Sequence, residues 1–311
     1  MNRIAYLFPG QGSQAVGMGR DLADRSPDVR RLFEKADDVL GYRLSSLCFD
    51  GPEAELRLTS NTQPALLVVS AAAYRLLDRA PAVAAGHSLG EYSALVAAGA
   101  MSFEDAVLLV HKRGQYMQEA VPAGTGAMAA VLGVPGGEIQ ERLSLVTKGV
   151  VEIANWNGED QIVVSGEKAA VEEAIALINP PRSVMLPVSA PFHSSLMKPA
   201  EVKLAAELDR TAFKDLAFPI ITNVDARIIR TGEEARDALK RQVSRAVLWT
   251  KTMDLLRDQE LDACVEVGPG KVLAGLIKRA SRGWAKTPAF YSTENWESLG
   301  KTVTALSGRL R

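Results

Sequence analysis

Gly86-His87-Ser88-Leu89-Gly90 is the stretch that most narrows what this chain can fold into. A run of small apolar residues, Ala82 to Ala85, leads into it. An apolar helical pattern from Tyr92 to Ala98 follows, with Gly99 where a helix would end. The order is strand, sharp turn, helix, with a serine at the apex. A turn this tight leaves no room for side chains beside the serine, strains the serine backbone and pushes the hydroxyl out above a sheet. The next N–H points into the same space, where a carbonyl can be attacked and its oxyanion held at a helix start. With 25 glycines among 311 residues the spacing alone is cheap. The flanking strand and helix patterns are what favour a nucleophile turn over a plain connection.

The rest of the chain supplies partners for that serine. Arg3–Phe8 reads as a buried strand ended by Pro9-Gly10. Gly10-Gln11-Gly12-Ser13-Gln14-Ala15 fits the dinucleotide fingerprint superficially, but the second strand with its terminal acid is absent. A glycine-rich loop bringing backbone N–H groups close to a reacting group is the competing reading, with a mere turn as the bland one. Asn61 is expected to cap a helix running to Leu77, with Pro64 in its first turn. Ser102 with Asp105 opens another helix in the manner of a capping box. On that helix Ala106, Leu109, Val110, Tyr116 and Met117 share a face, and Arg113 falls in its middle; His111 lies on the polar side. A guanidinium in an apolar stripe needs a partner, either an internal ion pair or a substrate carboxylate held bidentately.

From Met128 the pattern alternates: strand Met128–Val134, helix Glu138–Val146, strands Val150–Trp156 and Gln161–Ser165, helix Lys168–Ile178, strand Ser183–Val188. Pro135-Gly136-Gly137 and Asn157-Gly158 supply turns. This β-α-β-β-α-β order is that of a ferredoxin-like module. The expected architecture is α/β: a main domain like the α/β-hydrolases, with a parallel sheet, over 1–126 and 190–311, carrying a small inserted domain over 127–189 that walls a cleft. His193 lies where the insert ends. Of the three histidines, His87 is locked beside the serine and His111 is on a polar face, which leaves His193 as the general-base candidate. Later come a strand-like Phe218–Val224, a charged helix from Glu233, a strand at Ala263–Val267 and a helix to Arg279.

Other chemistries are excluded or weak. Net charge is −1, which offers nothing to nucleic acid or an anionic membrane. Cys48 and Cys264 sit in apolar surroundings without metal-ligand spacing and read as core residues. Gly268-Pro269-Gly270-Lys271 is not a phosphate loop, because valines stand at positions 265 and 272. No stretch of the sequence reaches transmembrane length and MNRIAYLFPG lacks signal-peptide features, so a reducing cytoplasm is the expected compartment.

LFPGQGSQ, NTQPAL, GHSLGEYSAL, the Arg113 helix, an NxN…Q…VSG stretch, SAPFHSSLM, NVDA, RQVSRAVLW and EVGPGKVLAGLIKR occur in this order. Together they resemble the malonyl-CoA:acyl-carrier-protein transacylase family of type II fatty acid synthesis, over nearly the whole chain to about Arg282. The resemblance implies Ser88 as nucleophile and His193 as its base. It implies Gln11 and Leu89 as backbone oxyanion donors, and Arg113 as the partner of the malonyl carboxylate. Gln63 is implied at the substrate site, and Gln242 as the residue whose backbone carbonyl orients the histidine in place of an acid. The implied partners are acyl carrier protein and malonyl-CoA or coenzyme A, with no metal or redox cofactor; the sequence is silent on oligomeric state, and a monomer is the default. Gly158-Glu159-Asp160 departs from the Ser-Pro or Ala-Pro of many members, and Phe192-His193 resembles malonyl-selective members. The rivals are an editing acyl hydrolase, a non-catalytic carrier-binding module, and an acyltransferase serving a polyketide synthase or a malonate decarboxylase.

Overall fold

The computed structural model describes residues 3–188 and 190–307. Its larger sheet starts from β1 (Ile4–Phe8), buried along its whole length. Alternate residues of β1 face two different cores: Ile4, Tyr6 and Phe8 join one apolar cluster, Ala5 and Leu7 the other. A strand covered on both faces is a near-continuous apolar run in a parallel sheet. β1 pairs in parallel with β2 (Val83–Gly86), Phe8 opposite Gly86, so the loops after both strands emerge side by side.

Between β1 and β2 run α1 (Arg20–Arg25), α2 (Pro27–Leu40), α3 (Leu44–Asp50), α4 (Glu53–Leu56) and α5 (Thr59–Arg75). α5 begins two residues before the expected cap Asn61, and Pro64 lies inside it. Pro64 has no N–H for the Ser60 carbonyl four residues back. His111 Nδ1 approaches that carbonyl at 2.8 Å and fills the gap. This is why His111 is half-buried rather than on a free polar face.

After β2 the chain turns through Ser88 into α6 (Leu89–Ala97). The turn is a backbone-to-backbone contact. A Cβ on Gly90 would lie 1.9 Å from the Phe8 carbonyl oxygen, one on Gly86 1.9 Å from the Gly90 carbonyl carbon, and one on Gly10 2.4 Å from the His87 oxygen. α6 stops at Gly99, φ +72°, whose N–H and that of Ala100 donate to Val96 and Leu95. α7 (Phe103–Glu119) starts at Ser102, whose hydroxyl oxygen accepts from the Asp105 N–H at 3.0 Å. It buries Ala106, Leu109, Val110, Arg113 and Met117, while Tyr116 is half-buried with its hydroxyl on Glu207.

A second sheet follows: β3 (Gly126–Leu132), α8 (Gly136–Leu143), β4 (Val151–Gly158), β5 (Gln161–Glu167), α9 (Lys168–Ile178) and β6 (Arg182–Met185). Its four strands pair antiparallel in the order β4-β5-β3-β6, and α8 and α9 close one face around Ile139, Ile162, Val164 and Val171. Pro135 caps α8 directly, and Asn157-Gly158 ends β4 instead of turning. β6 stops at Met185 rather than Val188, and Ser189 lies outside the described residues. The two sheets are stitched at Val247, which exchanges backbone hydrogen bonds with Ala154 and Trp156 of β4 at 2.8 and 2.9 Å.

The chain returns through α10 (Lys198–Arg210), β7 (Ile220–Ile221), β8 (Ile228–Ile229), α11 (Gly232–Gln242), α12 (Trp249–Arg257), β9 (Ala263–Glu266), α13 (Val272–Ala280), β10 (Ala289–Ser292) and α14 (Trp296–Leu306). The large sheet is ordered β10-β9-β1-β2-β7-β8, parallel except for β8. β10 and α14 carry no expectation from the sequence. Among the described residues no helix is long and apolar enough to cross a membrane.

Gly90→Ala should cost ~3 kcal/mol or more, because the Phe8 backbone cannot retreat. Gly137→Ala, where a Cβ meets nothing within 4 Å on α8, should gain ~0.5–1 kcal/mol. Thermal melting of the two variants checks the contrast; equal shifts would refute the close-approach account.

Candidate active site

Ser88 caps α6 with φ 51° and ψ −104°, a conformation that β-carbon-bearing residues rarely hold. Its Oγ lies 2.7 Å from His193 Nε2. His193 comes from the segment that follows the small sheet and is itself at φ 57°. Its Nδ1 faces two carbonyl oxygens, Gln242 at 3.0 Å and Arg245 at 3.1 Å. Both are acceptors only, so Nδ1 carries the proton and Nε2 is left to accept from the Ser88 hydroxyl. No carboxylate stands behind the histidine among these partners. Burial, then the positive charge of Arg113, pushes the His193 pKa down to about 3. The imidazole is therefore neutral at neutral pH, with Nε2 turned to the Ser88 hydroxyl.

Arg113 is 1% exposed, in the middle of the apolar face of α7. Its Nη1 donates to Gln63 Oε1 at 2.8 Å, and its Nη2 donates to Gln242 Oε1 at 3.0 Å and Ser88 Oγ at 3.1 Å. Tyr92 lies under it, 5.4 Å from the ring centroid. Its Nε has no partner among the described residues, and no ion pair there reaches it. Of the two sequence expectations for this arginine, the internal ion pair is absent. A buried guanidinium satisfied by amides and a hydroxyl is short of negative charge.

Gln63 is 1% exposed and spends its amide on Arg113 and, at 3.5 Å, on Met117 Sδ. It therefore reaches the site through Arg113. The Leu89 N–H opens α6, and the Gln11 N–H lies in the loop that packs on His87; neither has a hydrogen-bond partner among the described residues. The Gln11 side chain donates to Thr59 Oγ1. His87 points away from the chemistry, with Nε2 2.8 Å from Asn157 Oδ1 and its ring against Trp249.

Sequence reasoning missed three residues. Asn223 braces the turn at both ends: its Oδ1 accepts from the Ser88 N–H at 2.6 Å and its Nδ2 donates to the Gly86 carbonyl at 2.7 Å. Glu91 is buried, with Oε2 accepting from the Asn223 N–H at 3.0 Å and Gln242 Nε2 at 2.8 Å. Arg245 supplies the second carbonyl to His193. Asn223 and Glu91 stood inside quoted stretches, NVDA and GHSLGEYSAL, but spacing cannot show what a side chain touches more than a hundred residues away. A groove of about 490 Å3 leads to His193 between Glu152 and Ile153 of β4 and Lys198 and Arg245 of the larger body.

The family described as "Acyl transferase domain" matches residues 5–298. The chain is 48% identical over 287 residues to the malonyl CoA-acyl carrier protein transacylase of Escherichia coli (strain K12), covering 90% of this chain and 93% of the relative. It is 46% identical to that of Bacillus subtilis (strain 168), covering 97% and 98%. A malonyl-transacylase solved in complex with a type II polyketide synthase acyl carrier protein superposes with TM-score 0.93 at 43% identity, covering 99% of this chain and 100% of that one. The malonyl CoA-acyl carrier protein transacylase of Coxiella burnetii gives TM-score 0.93 at 40% identity, with 98% of each chain covered.

A fluorophosphonate that labels activated serines should modify Ser88 at a rate that holds between pH 7.5 and pH 5.5, since the base stays neutral throughout. An ordinary histidine would lose ~tenfold over that interval. Such a loss, read by mass spectrometry of the adduct, would overturn the depressed pKa of His193.

Proposed function

The chain belongs to the acyl transferase domain family, and from that premise we propose that it moves a malonyl group from malonyl-CoA to the phosphopantetheine thiol of acyl carrier protein through an ester on Ser88. The observation that carries the reading is Arg113: a buried guanidinium with no carboxylate bonded to it among the described residues, Nη2 3.1 Å from the nucleophile. A carboxylate seated on it holds a three-carbon acyl group with its thioester carbon at Ser88 Oγ.

His193 Nε2 takes the hydroxyl proton as Oγ attacks the thioester. The oxyanion rests on the N–H groups of Gln11 and Leu89, where one such donor is worth ~10²–10³ in rate. Coenzyme A leaves with the proton from His193. The carrier thiol then attacks the ester with His193 as base again. The carbonyls of Gln242 and Arg245 hold the ring and favour the imidazolium through their dipoles. Arg113 opposes that imidazolium when its own charge is uncompensated. Gln63 and Gln242 act by holding Arg113.

The strand order and pairing of residues 126–185 support reading 127–189 as a ferredoxin-like domain inserted in an α/β-hydrolase-like one, 1–126 and 190–311, with the groove between them receiving the pantetheine arm. Coenzyme A and acyl carrier protein are the partners, and a monomer in the cytoplasm is the expected setting. The likeness to a transacylase solved with a polyketide carrier supports a second reading, in which the accepting carrier belongs to a polyketide synthase.

Intact-mass spectrometry tests this. Malonyl-CoA should give an adduct that moves to added phosphopantetheinylated carrier, and Ser88→Ala should give none. Arg113→Ala should lose malonyl loading by ~10²-fold, about the cost of one buried charge partner, while keeping acetyl loading. An adduct that decays to free acid with the carrier left empty would instead establish a hydrolase.

A further inference from the structure

Glu91 is a buried carboxyl that the acyl-transfer steps do not use. It reaches the site through two side chains. Oε2 accepts from Gln242 Nε2, and the same amide donates to the Ser88 carbonyl at 3.0 Å and accepts from Arg113 Nη2. Oε2 also accepts from the Asn223 N–H, and Asn223 holds both ends of the nucleophile turn. Glu91 is therefore one amide away from Arg113, near enough to act on its charge without bonding to it. Its other oxygen, Oε1, has no partner among the described residues. The charged and titratable groups facing Glu91 are Arg113 from α7, Asp225 from the loop after β7, and Tyr92 from α6 itself. Asp225 is already held by both Nη atoms of Arg241.

We propose that Glu91 is the resting counter-charge of Arg113, relayed through the Gln242 amide, and that Oε1 takes one proton from solvent when a substrate carboxylate seats on the guanidinium. This rests on the malonyl-transfer reading above. A proton on Oε1 leaves Oε2 as an acceptor, so Gln242 and Asn223 keep their bonds and the turn keeps its brace. The direction follows from charge: two carboxylates cannot both stay ionised beside one buried cation. Burial already pushes Glu91 up to about 7, offset in part by Gln242, Asn223 and Arg113. Neutralising Arg113 removes one of those offsets and carries the pKa higher. Glu91 is a positioning residue in this account, acting on selectivity through Gln242.

Acyl transfer from coenzyme A to serine is itself proton-neutral while the released thiol stays protonated, below a pKa of ~8.5. Mixed with malonyl-CoA at pH 7.5 in weak buffer with an indicator dye, the enzyme should take up most of one proton per malonyl adduct, and none with acetyl-CoA. His193 stays neutral at this pH and does not contribute. The preference for malonyl over acetyl should fall at least ~5-fold from pH 6 to pH 8, a coupling at the low end of those between linked sites. Glu91→Gln should show neither the uptake nor the pH dependence. A malonyl adduct formed without proton uptake, or with the same uptake in Glu91→Gln, would overturn the assignment. The wild-type stoichiometry and pH profile need no variant to decide it. Absence of any malonyl adduct would overturn the transfer reading instead.

Discussion

The backbone of residues 86–90 lies directly on the backbone of residues 8–10, and the rest of the site is placed by that contact. Gly90 sits so close to the Phe8 carbonyl that a methyl group cannot fit, and Gly10 leaves no such room against His87 either. Two parallel strands ending side by side make this possible, since Phe8 and Gly86 are opposite one another in the ladder. The consequence is a serine at positive φ with α6 starting immediately behind it. Its strain is held from outside by Asn223, which grips the N–H of Ser88 and the carbonyl of Gly86. A side chain from the loop after β7 thereby does what the turn cannot do for itself.

Around that turn the charges are arranged in an uncommon order. The base is oriented by carbonyls, while the carboxyl that a serine nucleophile usually has behind its histidine stands elsewhere, under Gln242 and near the arginine. Carbonyl dipoles fix the tautomer of His193 and favour its charged form in part, but burial first and then Arg113 push its pKa down. Gln242 is the hub: its backbone oxygen meets the histidine, and its side chain meets Ser88, Arg113 and Glu91. A single glutamine thus connects Ser88, His193, Arg113 and Glu91. Neutral partners suit that position in the proposed malonyl transfer, where an acid salt-bridged to Arg113 would compete with the substrate carboxylate.

Local features were legible and relational ones were not. The glycines around Ser88, the Ser102 cap, the Gly99 stop and the Lys168–Ile178 helix follow from backbone conformation and period, which a short window of residues contains. The α5 start was misread because Asn61 and Pro64 make a good local cap signal, and a histidine fifty residues on supplies the donor that Pro64 lacks. Asn157-Gly158 resembles a turn, yet β4 runs through it because Gln161 pairs with Gly158 across the hairpin.

What the sequence determined by itself is the strained turn that presents Ser88, because strain, small residues and helix onset are local properties of the chain. It also determined that Arg113 would be buried, since its place in an apolar stripe is fixed by helical period. Whether that arginine met an acid directly or was held by amides and a hydroxyl was decided only by the tertiary structure, as was the pairing of His193 Nδ1 with the carbonyls of Gln242 and Arg245. The physical reason is that these are contacts between segments 25 to 150 residues apart. Their energies depend on distance and burial, and neither exists until the two sheets and their helices have packed.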